Sequence, residues 1–272
     1  MATIISILNY KGGVAKSTTT LNLGTALWLL GKRVLLVDTD VQCNLSRNLN
    51  FNYREGDNTL TEWLSDASCN PPVYQHYEGL YFIPASKRLS DIEVHMMNKI
   101  SRELILRKKL EPISQAFDYI LIDCAPKEGL LNTNAMSASD KILIPSECSG
   151  FSMQGMNDML DSINLVKDNV NEKLDILGFL LVKYDKQTRV SKQVVSYFEK
   201  NYPDKIFSTK IRKNVKFDEL PFFYQSIFEY SPESNGADDY MALAEEITGE
   251  KRPDNWREMA AEAWNKKENE VE

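Results

Sequence analysis

Histidine is nearly absent from this chain of 272 residues, with His76 and His95 as its two copies. A zinc site built on imidazoles, or a catalytic triad that needs one, has almost no material to draw on. The four cysteines, Cys43, Cys69, Cys124 and Cys148, show no Cys-x-x-Cys spacing, so reduced thiols in a cytoplasmic protein are expected. Long apolar runs are missing as well. The longest, such as Ala26–Leu30 and Phe179–Val182, fall far short of the ~20 residues that cross a bilayer. Met1 leads into Ile4-Ile5-Ser6-Ile7-Leu8 without a basic stretch, so no secretory leader is expected. No internal repeat, low-complexity segment or Pro/Gly-rich linker divides the chain.

What is present is an ordinary globular balance, with 43% hydrophobic and 26% charged residues, which excludes wholesale disorder. The net charge of −7 is unevenly spread. Lys183–Lys216 holds ten Lys/Arg against three Asp/Glu, whereas Phe217–Glu272 holds five against fifteen. A basic island in an acidic chain is the pattern of a surface-restricted polyanion site; solvated helix faces have the same composition.

Short Ile/Leu/Val runs with little alternation predict strands buried on both faces at Thr3–Leu8, Arg33–Asp38, Leu80–Pro84, Tyr119–Asp123, Lys141–Pro145, Ile176–Val182 and Ile206–Ile211. Helical spacing lies between them at Ser17–Leu30, Thr59–Ser65, Asn98–Ile113, Ser152–Asn169 and Thr188–Asn201, with Gly31 placed to end the first helix. This alternation predicts an α/β fold: a doubly wound, mostly parallel sheet flanked by helices. One domain over residues 1–249 is expected. In the tail, 250–272, Trp256, Met259, Ala260, Ala263 and Trp264 share one helix face while Arg257, Glu258, Glu262 and Lys266 occupy the other. Packing back onto the domain, or binding a partner, are the two readings of that face.

After the first strand comes Asn9-Tyr10-Lys11-Gly12-Gly13-Val14-Ala15-Lys16-Ser17-Thr18 and then an apolar helix. Gly12 and Gly13 let backbone amides curl around an anion, the helix N-terminus adds its dipole, Lys16 reaches phosphates, and Ser17 offers a hydroxyl to Mg²⁺. The ordinary G-x-x-x-x-G-K-[ST] pattern fails at Tyr10 and Ala15; the form K-G-G-x-x-K-[ST]-T fits, with Lys11 as an extra lysine. Ala15 is tolerable there if it already has near-helical dihedrals, where a Cβ costs nothing. Two further buried strands end in carboxylates, at Asp38-Thr39-Asp40 and at Asp123. Ligands of doubly wound sheets sit at the carboxyl ends of strands, where such groups hold Mg²⁺ and orient water.

These residues resemble the ParA/MinD group of deviant Walker ATPases, and within it the short Soj-like ParA proteins. The resemblance runs from about Ala2 to Gly249. Besides Lys11–Thr18 it takes in Val37–Asn44, similar to D-x-D-P-Q-G/C-N, then Phe117–Pro126, Gly129-Leu130-Leu131, Asn134-Ala135, Ile144-Pro145, Tyr184-Asp185, Thr188-Arg189, Asn214-Val215, Gly236-Ala237 and Tyr240. It implies an ATPase with ATP and Mg²⁺ as cofactors. Lys11, Gly12, Gly13, Val14, Ala15, Lys16, Ser17, Thr18 and Asn214 would bind nucleotide, with Lys11 crossing into the other subunit of an ATP-sandwich homodimer. Ser17, Asp38, Asp40 and Asp123 would form the metal surroundings, and Asp40 would position the attacking water beside Lys11 and Lys16. The chain departs from the family at Val41, where proline is usual, at Lys127-Glu128, and at Arg212, departures that bear on how hydrolysis is gated.

Family members differ in what they move. The acidic, mixed-sign tail argues against the basic amphipathic helix of a membrane-bound MinD. The resemblance therefore implies plasmid or chromosome partition: a cytoplasmic, nucleoid-associated protein that binds non-specific double-stranded DNA and works with a ParB-like centromere-binding protein. The expected DNA contacts are Lys186, Arg189, Lys192, Lys210, Arg212, Lys213 and Lys216. A MinD-like cargo-positioning role is the alternative. A reductase resembling nitrogenase iron protein would need paired cluster cysteines, and a synthetase resembling dethiobiotin synthetase would need a carboxylate pocket in place of a basic surface.

Overall fold

The structure, a computed structural model, describes residues 1–148 and 153–271. The apolar runs pair as β1 (Thr3–Ile7), β2 (Val34–Asp38), β3 (Tyr74–Tyr77), β4 (Leu80–Ile83), β5 (Tyr119–Asp123), β6 (Lys141–Glu147) and β7 (Asp175–Val182). They form a seven-stranded sheet of order β3-β4-β2-β5-β1-β6-β7, parallel throughout except at the β3–β4 hairpin. The chain moves to one side of β1 through β5 and to the other through β6, so β1 marks the switch point where a ligand crevice opens.

The connections fold as α1 (Lys16–Leu29), α2 (Asn44–Asn48), α3 (Leu60–Ser65), α4 (Leu89–Met96), α5 (Ile105–Leu110), α6 (Leu130–Ala138), α7 (Met153–Asn169), α8 (Arg189–Asn201), α9 (Lys216–Phe223), α10 (Ile227–Tyr230), α11 (Asn235–Thr248) and α12 (Trp256–Val271). Alternate strand residues serve opposite faces. Leu35, Val37, Ile120 and Ile122 join the core beneath α4 to α8, while Val34, Leu36, Leu121 and Leu143 join the core beneath α1, α11 and α12. That is why these strands read as continuous apolar runs. Gly31, at φ +79°, ends α1 as expected: its N–H reaches the Trp28 carbonyl (2.8 Å) and that of Lys32 reaches Leu27 (3.1 Å), a Schellman closure.

Two expectations are corrected. Ile206–Ile211 is not a strand: it touches β7 at the isolated bridge Phe179–Ile206 and through the Ile211 N–H on the Leu181 carbonyl (2.9 Å). The Ser208 and Thr209 N–H groups turn instead to the Glu246 carboxylate (2.6 and 2.9 Å), which breaks the ladder. Asn98–Ile113 is not one helix: 3-10 turns at Arg102–Leu104 and Glu111–Ala116 flank α5, since Ser101 is left-handed at φ 53° and Pro112 has no N–H to donate. The hairpin strand β3, closed through Gly79 at φ +95°, and helices α4, α6 and α9–α11 carried no clear sequence signal. The expected helix start at Ser152 lies outside the described residues; from Met153 the helix follows.

Helix α12 packs against α1 and α10. Trp256 and Ala260 are buried, with the Trp256 ring edge-on to Phe228 (5.6 Å) and beneath the Arg257 guanidinium (4.2 Å). Farther along, Lys267 Nζ lies 3.1 Å from His76 Nδ1, and the buried Glu229 carboxylate accepts from His76 Nε2 (3.3 Å) and from the Tyr77 hydroxyl. Burial holds His76 below its ordinary 6.5. Burial would raise Glu229, but His76, Lys267 and Tyr77 outweigh it and bring the group down to about 2. Both groups are depressed in the folded state, so each contributes stability that is present above its unfolded value and lost as pH falls. For His76 the loss begins at 6.5, for Glu229 at 4.5. The urea midpoint of the wild type should therefore fall relative to that of His76→Gln as pH goes from ~7.5 to ~5.

Candidate nucleotide-binding site

The loop between β1 and α1 is fixed at its head by Asn9, whose side chain donates to the Pro145 carbonyl (2.7 Å) and accepts from the Lys11 N–H (2.9 Å). Gly13, at φ +76°, adopts a left-handed turn. Ala15 does too, at φ 61° and ψ 31°, so the near-helical condition is not met. A Cβ there costs about 1 kcal/mol, and the conformation persists because the Ala15 carbonyl already accepts the first helical bond, from Thr19 N–H (2.8 Å). No side chain caps the start of α1, so the N–H groups at Lys16, Ser17 and Thr18 remain available to an anion. Lys16 is buried, and its ammonium rests on the Lys11 carbonyl (3.1 Å). Burial lowers its pKa against the pull of Asp123 and Asp40.

Strands β2 and β5 are neighbours, with Asp38 in register with Asp123. Asp38 Oδ2 accepts from the Ser46 N–H (2.8 Å) and hydroxyl (2.6 Å), and its Oδ1 accepts from the Asp40 N–H (3.1 Å). Burial still raises this carboxyl to about 6. Its oxygens thus fasten the turn that carries Asp40. Asp40 accepts from the Gln42 N–H (3.0 Å), an Asx turn that holds its carboxylate without the proline that Val41 replaces. Asp123 is fully buried. One oxygen receives Thr20 Oγ1 at 3.5 Å, and the other, Oδ2, has no hydrogen-bond partner among the described residues. Burial, reinforced by the charge of Asp38, raises its pKa well above the ordinary value; the Ser17 hydroxyl and Lys16 oppose the rise. An unpartnered buried carboxylate oxygen beside a serine hydroxyl is a donor set that suits a hard divalent cation, directly or through water.

Beside these groups lies a cavity of about 620 Å³ whose lining includes Gly12, Gly13, Ala15, Lys16, Ser17, Thr18 and Asp40 together with Lys183, Arg212, Lys213, Asn214 and Phe217. That volume suits a nucleotide-sized ligand. Val14 is buried behind the loop. Lys11 points elsewhere: its Nζ pairs with Glu147 (3.1 Å), which also pairs with Lys183 (3.3 Å).

The basic island divides in space. Lys186, Arg189 and Lys192 are exposed around the start of α8, which Thr188 caps by accepting from the Ser191 N–H (3.3 Å). Arg212 instead clasps Asp239 through Nε and an Nη (2.9 and 2.6 Å) and, with Lys213, lines the cavity. Lys216 pairs with Glu219 (3.1 Å), and Lys210 Nζ donates to the Ser208 carbonyl (3.3 Å). The Lys127-Glu128 departure is also matched within the fold, as Lys127 pairs with Glu93 (3.1 Å) and Glu128 accepts from Ser162 (3.3 Å). Cys124 and Cys148 are buried, their thiols pushed up by burial to about 12 and about 11, a poor setting for cluster ligands at a subunit surface. Sequence reasoning missed Glu147, Ser46 and Lys183. Of these, Lys183 alone carried a signal, as a cation just past the carboxyl end of a strand.

Comparison with known proteins agrees with this geometry. The family described as "AAA domain" matches residues 2–176. The sporulation initiation inhibitor protein Soj of Bacillus subtilis is 39% identical over 249 residues, covering 91% of this chain and 98% of Soj. The chromosome partitioning protein ParA of Caulobacter vibrioides is 34% identical over 253 residues, covering 92% of this chain and 95% of its own. Among solved structures, cobyrinic acid a,c-diamide synthase from Mycobacterium smegmatis with bound ATP analog and magnesium superposes with a TM-score of 0.80 at 28% identity, covering 93% of this chain and 99% of the synthase. Sheet order, phosphate loop and extended identity to the partition proteins converge, and the chain belongs to the ParA/MinD group of deviant Walker P-loop ATPases, alongside the short Soj-like ParA proteins.

Proposed function

We propose that this protein is a partition ATPase: Mg·ATP joins two copies in a sandwich dimer, the dimer binds duplex DNA without sequence preference, and hydrolysis to ADP and phosphate releases it. The observation that carries the reading is the cavity lined by Gly12, Gly13, Lys16, Ser17, Thr18 and Asp40 beyond the ends of β1 and β2, with Asp123 buried at the end of β5 between them. The α1 N–H groups and Lys16 bind the phosphates. Ser17, supported by Asp123, holds Mg²⁺, which when bound offsets phosphate charge. Asp40, fixed by the Gln42 N–H and by Asp38, orients the attacking water. Asn214, also in the cavity lining, borders the base. Lys11 leaves Glu147 to reach the nucleotide of the other subunit.

DNA binding is assigned first to Lys186, Arg189 and Lys192, exposed where the α8 N-terminus offers amides to a phosphate. Lys210, Lys213 and Lys216 add longer-range charge, and Arg212 acts through the cavity wall. Among the described residues no helix is long and apolar enough to cross a membrane. Work in the cytoplasm on nucleoid DNA, with a ParB-like adaptor, follows from the likeness to partition proteins. The likeness to a synthase makes small-molecule ligation the competing class, and the same experiment separates the two. An ATP-dependent shift of arbitrary duplex DNA is expected, with a log–log salt slope of roughly −3 to −4 if each subunit neutralises two phosphates. Arg189→Ala should weaken binding to every sequence alike and spare basal turnover. An ATP-bound dimer that ignores DNA at low salt would overturn the partition reading.

A further inference from the structure

We propose that Lys183 is a third lysine of the polyphosphate site, acting within its own subunit to favour nucleotides with longer phosphate chains; this rests on the nucleotide reading above. Lys183 follows the last residue of β7, at the same sheet edge as the loop. Its φ of 52° is left-handed, a conformation unfavourable to any residue with a Cβ. Hydrogen bonds on both sides impose it: Cys148 N–H to the Val182 carbonyl (3.1 Å), Tyr184 N–H to Ile211 (2.9 Å), and Lys213 N–H back to Tyr184 (2.9 Å). Backbone strain held in this way at a ligand cavity points to a use for the side chain it aims.

That side chain lines the cavity, with Nζ 2.9 Å from the Gly13 carbonyl and 3.3 Å from Glu147 Oε1. The side chain remains 44% exposed, so it is not sealed away from the cavity. Lys16 rests in the same way on another carbonyl of the loop, that of Lys11. Each ammonium therefore sits on a partial negative charge at the edge of the anion cradle, and Lys183 shares its single carboxylate with Lys11. Phosphate oxygens carry more charge than a carbonyl and bind ammonium groups more strongly. A lysine on a flexible stem can swing to them without moving the backbone.

The alternative is a clamp that merely shapes the loop, and the two differ in what they discriminate. Full-length wild type, Lys183→Gln, Lys183→Arg, Lys183→Gly and Lys16→Ala are compared, with AMP, ADP and ATP each displacing a fluorescent ATP analogue in Mg²⁺ buffer. Lys183→Gln should weaken ATP about tenfold, ADP less, and AMP hardly at all, and Lys183→Arg should recover most of the loss. Lys183→Gly removes the charge together with the strain, so it should melt no lower than wild type and show the same graded loss. An equal loss for all three nucleotides, or none, would overturn the proposal in favour of a clamp or of no role. Failure of the wild type to bind nucleotide, or undiminished binding by Lys16→Ala, would instead remove the nucleotide reading itself.

Discussion

Asp40→Ala should bind ATP about as well as wild type and turn it over about 10³-fold more slowly, within the range measured when a positioned proton acceptor is removed. Asp40 contributes nothing to the phosphate cradle, which is made by loop amides and by Lys16 with its ammonium on the Lys11 carbonyl. Its side chain accepts from the Gln42 N–H, and its backbone bonds Asp38 and Cys43. Losing the side chain therefore removes the water-orienting carboxylate and one local turn bond, while Asp38 stays fastened by Ser46. The variant should accumulate as an ATP-bound dimer that stays on DNA, read by a single-turnover phosphate assay together with sedimentation. Hydrolysis at the wild-type rate would move the catalytic role to another carboxylate, and Asp123, with its unpartnered oxygen, would be the first to test.

A second large effect is expected at Lys11. Lys11→Ala should keep ATP binding but weaken ATP-dependent dimerisation on the order of 100-fold. The substitution leaves the main-chain carbonyl that receives Lys16 in place, so the loop keeps its own lysine. What disappears is an ammonium that, in the free subunit, is paired with Glu147 at 3.1 Å and is 44% exposed. A pair this open on its lysine side is worth little, so the lysine can exchange it for the phosphates of a facing nucleotide. Sedimentation of wild type and variant with and without Mg·ATP tests this. A wild type equally dimeric without nucleotide would leave the sandwich arrangement without its basis.

The sequence by itself determined the architecture of the centre of the molecule. Strands such as Val34–Asp38 are buried on both faces, and only uninterrupted apolar runs satisfy that condition. The phosphate loop was legible because its constraints are local: Gly12 and Gly13, a lysine, a hydroxyl, and a helix that starts at once. Where local chemistry was ambiguous the reading failed. Nothing in Ile206–Ile211 reveals that Glu246, on α11, captures two of its N–H groups. The left-handed turn at Ala15 is likewise invisible in a residue type that ordinarily favours helix.

Tertiary structure alone decided how the charged groups divide their work. Asp38 and Asp123 end neighbouring strands in register and look equivalent in sequence. Yet Ser46 and the Asp40 N–H take up the oxygens of Asp38, and Asp123 keeps one oxygen unpartnered. Lys11 finds Glu147 across 136 positions, and Lys183 reaches the Gly13 carbonyl across 170. The basic island, continuous in sequence, splits between the start of α8 and the cavity wall because Asp239 draws Arg212 inward. Local spacing fixes which residues share a strand or a loop. Which carboxylate stays bare and which ammonium faces the ligand depends on strand order and on partners that composition does not encode.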